Sequence, residues 1–256
     1  MFECSAVRYF LMAGALALVM SCLCRTAVAG PPFLTDDPQP TDYGHWELYN
    51  FSMLDKSRAG KQIQAPGFEG DYGFAPNLQA HVLFPFLDSL PDGGRAAYGG
   101  SDTELGVKYR FLQETDKTPM AGIFPLLEAP TGNADRGLGN GRTWAKFPLW
   151  LQKSWGEEDR QWTTFGGAGY TLNTASGQRG YPFAGWALQK QLTEKLMLGG
   201  EIYTQGRTQD GGRATVIANL GGQYNFTKNF SLLFSVGHSF AGERHLIGYL
   251  ALYWTW

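Results

Sequence analysis

The segment GHSFAGERH brings three residue types that could together hydrolyse an ester close in the chain. His238 would be the general base, Ser239 the nucleophile, and Glu243 the group that orients the base. In an extended strand, however, neighbouring side chains point to opposite faces, so Ser239 reaches His238 only if a bulge interrupts the strand. The sequence therefore keeps a lipid hydrolase as a lesser alternative and predicts no catalytic residue.

Two glycine-rich segments resemble ligand-binding loops without meeting their requirements. GLGNGRT has Arg142 where the third glycine of a dinucleotide-binding loop would stand, and no helical pattern follows it. NADRG offers too few oxygen ligands at calcium-loop spacing. The sequence thus predicts no cofactor and no metal site. The net charge of −2 gives no reason to expect nucleic acid as a partner.

The first 29 residues are typical of a secretory signal peptide. The apolar run YFLMAGALALVMSCL is followed by the small residues Ala27 and Ala29, which predicts cleavage before Gly30. The run is too short for a membrane-spanning helix. Lipoprotein processing at Cys22, within the segment VMSC, stays open as an alternative. All three cysteines precede the predicted cleavage site, so the mature chain would carry neither a thiol nor a disulfide.

The composition of the chain differs from that of an ordinary soluble domain. Charged residues make up 17% of the sequence, against about 25% in globular proteins, and there are 34 glycines and 14% aromatic residues. After residue 30 no apolar run reaches the roughly 20 residues that a spanning helix needs. An exported chain of this kind is either a secreted β-protein or a closed β-barrel in lipid.

A period of two in hydrophobicity recurs along the whole chain and predicts β-strands. In TELGVKYRF, for example, Leu105 and Val107 share one face while Glu104 and Lys108 share the other. Most predicted strands are longer than the ~5–6 residues of globular proteins and match the ~9–11 residues of spanning strands. The predicted strands cover residues 44–55, 66–74, 77–86, 103–111, 118–130, 143–155, 161–173, 182–192, 196–205, 214–226, 230–240 and 246–256.

The connections between the predicted strands alternate between short and long. FAPNL, LTEKL and FTKNF are short turns, whereas DKSRAGKQIQ, LDSLPDGGRAAYGGSD, TGNADRGLGNG, NTASGQRGY and QGRTQDGGR are long and polar. Outer-membrane barrels show this asymmetry between periplasmic turns and outer loops. The last strand, LIGYLALYWTW, would close the barrel and place Trp254 and Trp256 in an interfacial aromatic girdle.

These patterns predict an all-β chain with three parts. Residues 1–29 are the signal peptide, and residues 30–43 form a periplasmic N-terminal lead-in or a plug, whose prolines exclude a central strand. Residues 44–256 form a transmembrane antiparallel up-and-down β-barrel of about 12 strands.

Several segments, in order along the mature chain, carry a resemblance to a known family. GPPFLTDDPQPTDYGHWELYNF, DTELGVKYRF, LLEAPTGNADRGLGNG, PLWLQKSWG and LTEKLMLGGEIY resemble the outer-membrane transporter family linked to phenol meta-pathway degradation. The resemblance extends from Gly30 to Trp256. It implies an outer-membrane barrel and uptake of small, often aromatic, molecules, and it supplies no binding residues.

Strand alternation predicts which side chains face the lumen, where a charge avoids the ~2–4 kcal/mol cost of the lipid face. This set could select solutes along an open pore, or it could form ion pairs that fill and stabilise the interior. Met120, Phe124 and Leu126 share a face with Glu128, which would suit a hydrophobic solute or packing against a plug. The predicted lumen-facing binding candidates are Glu104, Lys108, Arg110, Glu128, Lys146, Glu201 and Tyr203.

The sequence therefore predicts a channel in the outer membrane of a Gram-negative bacterium that admits small, hydrophobic or aromatic solutes passively. The predicted partners are outer-membrane lipid, the barrel assembly machinery through the C-terminal strand, and the solute. The main alternative is a structural or adhesive barrel with a blocked lumen; a lipid hydrolase is the lesser one.

Overall fold

The computed structural model describes residues 32–256, and the predicted signal peptide lies outside them. Fourteen β-strands and two 3₁₀ helices, Ala134–Arg136 and Glu158–Arg160, make up the regular structure of this range. No helix among the described residues is long and apolar enough to cross a membrane. The strands are β1 (Trp46–Ser57), β2 (Gly60–Ala75), β3 (Leu78–Pro91), β4 (Ala97–Gly100), β5 (Thr103–Leu112), β6 (Met120–Ile123), β7 (Leu126–Ala129), β8 (Trp144–Trp155), β9 (Trp162–Leu172), β10 (Tyr181–Gln191), β11 (Leu196–Gln205), β12 (Thr215–Asn225), β13 (Phe230–Gly242) and β14 (Leu246–Thr255).

All strands belong to one antiparallel sheet that closes on itself. Apart from the short strands β4 to β7, each strand pairs with its neighbours in the chain, and β1 pairs with β14 from Glu47–Thr255 to Lys56–Leu246. Reciprocal backbone hydrogen bonds between Trp46 and Trp256, of 2.8 and 3.1 Å, complete this seam. Closure leaves no unpaired sheet edge at the seam, as a barrel in lipid requires.

Two of the barrel strands are interrupted, which reduces fourteen elements to twelve. β4 and β5 both pair with β3, and β6 and β7 each pair with β5 on one side and β8 on the other. The two members of each pair therefore occupy the place of one barrel strand. The first break is at Asp102, whose carboxylate accepts hydrogen bonds from the backbone N–H of Gly132 and Asn140. The second is at Phe124 and Pro125, where proline has no N–H for the ladder. The predicted closed barrel of about 12 strands is confirmed.

Most apolar side chains of the strands face outward and most polar ones face inward. Leu105 and Val107 are 45% and 42% exposed, whereas Lys108, on the opposite face of β5, is 5% exposed. The outward residues Leu220 and Val236 reach 70% and 60% exposure. A soluble protein does not leave such a continuous apolar belt in water. The belt has the composition expected of a surface covered by acyl chains.

Aromatic rings are concentrated at the end of the barrel that carries the short turns, here called the short-turn rim. Phe230 stacks on Trp254 with ring centroids 5.0 Å apart and on Phe226 at 5.2 Å. Trp46 stacks on Tyr72 at 4.5 Å. The rings form part of an interfacial girdle of the kind that the last strand predicted, because amphipathic rings favour the boundary between lipid and water.

The prediction of a long loop at DKSRAGKQIQ is wrong. β1 and β2 continue through most of it as a hairpin, with register from Met53–Gln64 to Ser57–Gly60, and only Arg58 and Ala59 form the turn. The strands here extend past the apolar belt, so their outward side chains are polar and the alternation that marks a strand disappears. β2 accordingly begins at Gly60, earlier than the predicted start at residue 66.

Candidate functional site

An N-terminal strap, residues 32–42, lies inside the barrel. Thr35 and Asp37 are fully buried, and Phe33 is 9% exposed. The strap has no regular pairing of its own, and its prolines make a strand ladder unfavourable. Its backbone groups instead form hydrogen bonds with side chains that point inward from the strands and with the strap's own aspartates.

Glu201 of β11 is the main anchor of the strap. Its two carboxylate oxygens accept hydrogen bonds from the backbone N–H of Leu34 and Thr35, each 2.8 Å long. The side-chain amide of Asn219 donates to the same carboxylate at 2.9 Å. Glu201 is 4% exposed, so these charge-assisted bonds compensate for its loss of water.

Further contacts hold the strap along its length. Lys108 Nζ lies 3.0 Å from Asp36 Oδ1, and Arg110 Nη1 donates to Gln39 Oε1 at 2.5 Å. Gln79 Oε1 accepts from the backbone N–H of Thr41 at 2.8 Å. These contacts join the strap to β3 and β5, on the wall opposite to Glu201 in strand order.

The electrostatics of the strap follow from its burial. Asp37 is fully buried, and this burial raises the pKa of its carboxyl well above the usual value, although the ammonium group of Lys108 opposes the shift. Asp37 Oδ1 accepts a hydrogen bond from the backbone N–H of Gln39.

Small residues on the barrel wall allow the strap to approach closely. A β-carbon added at Gly185 of β10 would overlap Thr35 Oγ1. One added at Gly122 of β6 would lie 3.0 Å from the β-carbon of Pro38. The absence of a side chain at these two positions is therefore a packing requirement of the strap.

An aromatic patch lies beside the strap in the lumen. It consists of Phe124, Leu126, Trp150, Phe183 and Tyr203, with Leu34 of the strap packed against it. The rings of Phe183 and Tyr203 are stacked at 6.3 Å, and Lys146 Nζ lies 4.7 Å above the ring of Phe183. Part of the lumen is therefore apolar, as the shared face of Phe124 and Leu126 indicated.

The seven predicted lumen-facing residues lie in three different environments. Lys108, Arg110 and Glu201 contact the strap, as described above. Lys146 and Tyr203 contact Phe183 in the aromatic patch. Glu104 lies opposite Glu128 in register, and Glu104 Oε1 is 3.2 Å from His81 Nε2. The seven residues therefore do not form a single binding site.

Sequence reasoning missed three residues near Glu104. Glu69 and Asp71 of β2 lie beside His81 of β3, with His81 Nδ1 2.8 Å from Asp71 Oδ1 and 3.8 Å from Glu69 Oε1. The alternation of NLQAHVLFPF already places His81 opposite the lipid-facing Ala80 and Val82. The sequence did not show which residues of β2 stand next to it, because that depends on the register between strands.

The hydrolase motif is not assembled as the alternative required. His238 is exposed on the outer face of β13, whereas Ser239 is 4% exposed on the inner face. Ser239 Oγ accepts a hydrogen bond from the backbone N–H of His245 at 2.8 Å. The His245 ring is directed to Asp55, with Nδ1 2.8 Å from Oδ1. The arrangement provides no Ser239–His238 contact.

The pair of His245 and Asp55 predicts a pH dependence at the loop between β13 and β14. The hydrogen bond to Asp55 raises the pKa of His245 above its usual value, with Glu243 adding to the shift and partial burial opposing it. A raised folded-state pKa stabilises the loop below about pH 6.5, the unfolded pKa, and this stabilisation is lost as the pH rises through the folded pKa. Amide hydrogen exchange of residues 243–246 should therefore be faster at pH 8 than at pH 6 after correction for intrinsic rates. His245→Gln should abolish the difference; a difference that persists in this variant would contradict the assignment.

Cysteine labelling tests the position of the strap. With the three native cysteines removed together with the predicted signal peptide, a single introduced cysteine can be followed. Pro38 is fully buried against the wall, whereas Asp42 is exposed. We expect Pro38→Cys to react with a maleimide at least about tenfold more slowly than Asp42→Cys, because labelling needs a local opening. Equal rates in the folded protein would show that the strap is outside the lumen.

Comparison with known proteins agrees with this architecture. Residues 63–255 match the model of the family described as "Putative MetA-pathway of phenol degradation". The chain belongs to this family. No curated protein matches this sequence.

Solved structures resemble it in fold. An outer-membrane channel from Pseudomonas putida F1 is 18% identical, with a TM-score of 0.63 over 86% of this chain and 98% of the other. The translocator domain of the autotransporter NalP from Neisseria meningitidis is 12% identical, with a TM-score of 0.55 over 98% and 96%. The KdgM porin is 9% identical, with a TM-score of 0.52 over 81% and 98%. At these identities the likeness shows the barrel fold.

Proposed function

We propose that the protein is an outer-membrane channel that admits small, hydrophobic or aromatic solutes without energy coupling. The observation that carries the proposal is an apolar belt around a closed barrel whose interior holds an aromatic patch. The family membership and the resemblance in fold to an outer-membrane channel support it. Entry would be diffusion down a concentration gradient.

The aromatic patch favours an apolar ring over a sugar as solute. Phe183 and Tyr203 present ring faces and edges that pack with a planar aromatic molecule, and aromatic pairs gain about 0.5–1.5 kcal/mol beyond area burial. Lys146, above Phe183, would provide a donor to a phenolic or carboxylate oxygen. A phenol or an aromatic acid combines both requirements.

The strap sets the width of the passage in this proposal. Residues 30–43 would act as a plug, and a solute would pass beside the strap or after its displacement. The anchoring at Glu201 and Lys108 supports this role, since it keeps the strap between the aromatic patch and the opposite wall. The last strand, with its alternating apolar face, would be the segment that the barrel assembly machinery recognises.

Uptake into liposomes tests the proposed solute class. Vesicles containing the refolded mature protein should take up phenol and benzoate faster than vesicles without protein. Both kinds of vesicle should take up glucose at the same rate. Phe183→Ala should lower aromatic uptake. Phe226→Ala, on the outer surface of the barrel at the short-turn rim, serves as the matched control. Equal stimulation of glucose and phenol would replace the proposal by an unselective pore.

A structural barrel with a blocked lumen is the second candidate, and the buried strap favours it. Single-channel recording in planar bilayers separates the two. A channel should show discrete conductance steps, whereas a blocked barrel should show none and should also fail in the uptake assay.

A further inference from the structure

A cluster of ionisable side chains lies on three neighbouring strands near the short-turn rim. It consists of Glu69 and Asp71 on β2, His81 on β3 and Glu104 on β5, and is here called the lumen quartet. Ligand atoms of Glu69, Asp71 and His81 all lie within 4.8 Å of one another. Asp71 and His81 are 3% and 7% exposed. The quartet adjoins the aromatic patch at one point, where the His81 ring meets the edge of the Phe124 ring with centroids 5.3 Å apart.

The two sides of the His81 ring have different surroundings. Nε2 has one partner, Glu104 Oε1, at 3.2 Å. Nδ1 has two carboxylates next to it, Asp71 at 2.8 Å and Glu69 at 3.8 Å. One N–H can serve one acceptor well, and it serves Asp71. Among the described residues the Glu69 carboxylate has no hydrogen-bond donor, although its side chain is only 12% exposed.

A further observation indicates missing positive charge. Glu47, opposite Asp71 in register, adds a fourth carboxylate to the region. Tyr49 donates a hydrogen bond to Glu47 at 2.9 Å, which leaves the carboxylates of Glu69 and Asp71 with His81 as their shared cationic neighbour. A cation at the quartet would offset this excess of carboxylates and would give Glu69 a positively charged partner.

We propose that the lumen quartet binds a divalent transition-metal ion, with Zn²⁺ as the probe. Nδ1 of His81 and one oxygen each from Asp71 and Glu69 would be the ligands, and water would complete the coordination. Ligands at about 2.1 Å from a tetrahedral ion are about 3.4 Å from each other. The separations of 2.8 and 3.8 Å around Nδ1 bracket this value. Mixed imidazole and carboxylate ligands suit Zn²⁺ better than Ca²⁺ or Mg²⁺.

Glu104 has the position that metal sites give to a supporting carboxylate. A histidine that binds a metal through one nitrogen usually donates its other N–H to a carboxylate, which fixes the ring and the tautomer. Glu104 Oε1 next to Nε2 provides that acceptor. The ion would thus join β2 to β3 directly and would involve β5 through Glu104.

Isothermal titration of the refolded, chelator-treated mature protein with Zn²⁺ tests the proposal. The His245→Gln background removes the other histidine–carboxylate pair, His245 and Asp55. In this background we expect one ion per chain, no stoichiometric binding after His81→Gln, and about tenfold weaker binding after Glu104→Gln. His238→Gln, on the outer face, is the matched control and should bind as the background does.

Absence of binding in the background protein, or undiminished binding after His81→Gln, would overturn the proposal. The heat-dependent shift in gel mobility shows whether each variant has folded. If the His81 variant does not fold, anomalous scattering from zinc-treated crystals of the unmodified protein replaces it. A peak next to His81 Nδ1 would support the site, and a map without this peak would refute it.

Discussion

Glu201→Ala should release the N-terminal strap and increase single-channel conductance. The change removes the acceptor of three hydrogen bonds, two of them from the strap backbone. Hydrogen bonds to a charged group contribute about 1.5–3 kcal/mol each, so the strap should lose about 3 kcal/mol of anchoring or more. That corresponds to about a hundredfold rise in the released population. Planar-bilayer recording should show this as more frequent or larger openings.

Two variants control this experiment. Glu201→Gln keeps one oxygen acceptor and should give a smaller increase. Glu194→Ala removes an exposed carboxylate from a short turn and should leave conductance unchanged. The labelling rate of Pro38→Cys should rise together with conductance in the Glu201→Ala background. Faster labelling without any change in conductance would show that the strap does not limit the passage.

Leu220→Arg should destabilise the barrel strongly, because Leu220 lies in the apolar belt. It is 70% exposed, pairs with Gly200 and Val236, and packs against little protein. On a protein surface in water the change would be nearly neutral, but an arginine at mid-membrane costs about 2–4 kcal/mol. Urea unfolding in lipid vesicles should therefore show a loss of this size.

The control for this prediction is a matched change at another depth. Phe226 is 46% exposed and follows β12 at the short-turn rim, so Phe226→Arg should cost only about 0–1 kcal/mol beyond the loss measured for Phe226→Ala. In the same way, the loss measured for Leu220→Ala is subtracted from the loss measured for Leu220→Arg. Equal costs at the two depths would mean that Leu220 does not face acyl chains.

The sequence predicts the barrel well because lipid imposes a simple rule on each strand. In β5 the rule separates Leu105 and Val107 from Lys108 without any knowledge of neighbouring strands. The same rule fails in the β1–β2 hairpin beyond the belt, where both faces are polar. It also gives no sign of the break at Asp102, which depends on hydrogen bonds to Gly132 and Asn140.

The contacts inside the lumen cannot be predicted from the sequence, for a different reason. Alternation assigns Glu104 and His81 to the inner face, but their contact depends on the stagger between β3 and β5. The position of the strap likewise depends on the close approach of Thr35 to Gly185 on the barrel wall. Stagger and close approach are properties of the whole closed sheet, and a single strand pattern does not contain them.

The seam between β1 and β14 constrains the order of folding. It joins the first and last strands of the chain, so its ten residue pairs carry the largest loop-closure entropy of any pairing in the sheet. The hairpins between neighbouring strands can form locally, but the cylinder cannot shut until residues near Trp256 have been synthesised and exported. Until that moment two strand edges offer free amides and carbonyls to other chains, and a polypeptide shortened by one strand would remain permanently open to aggregation.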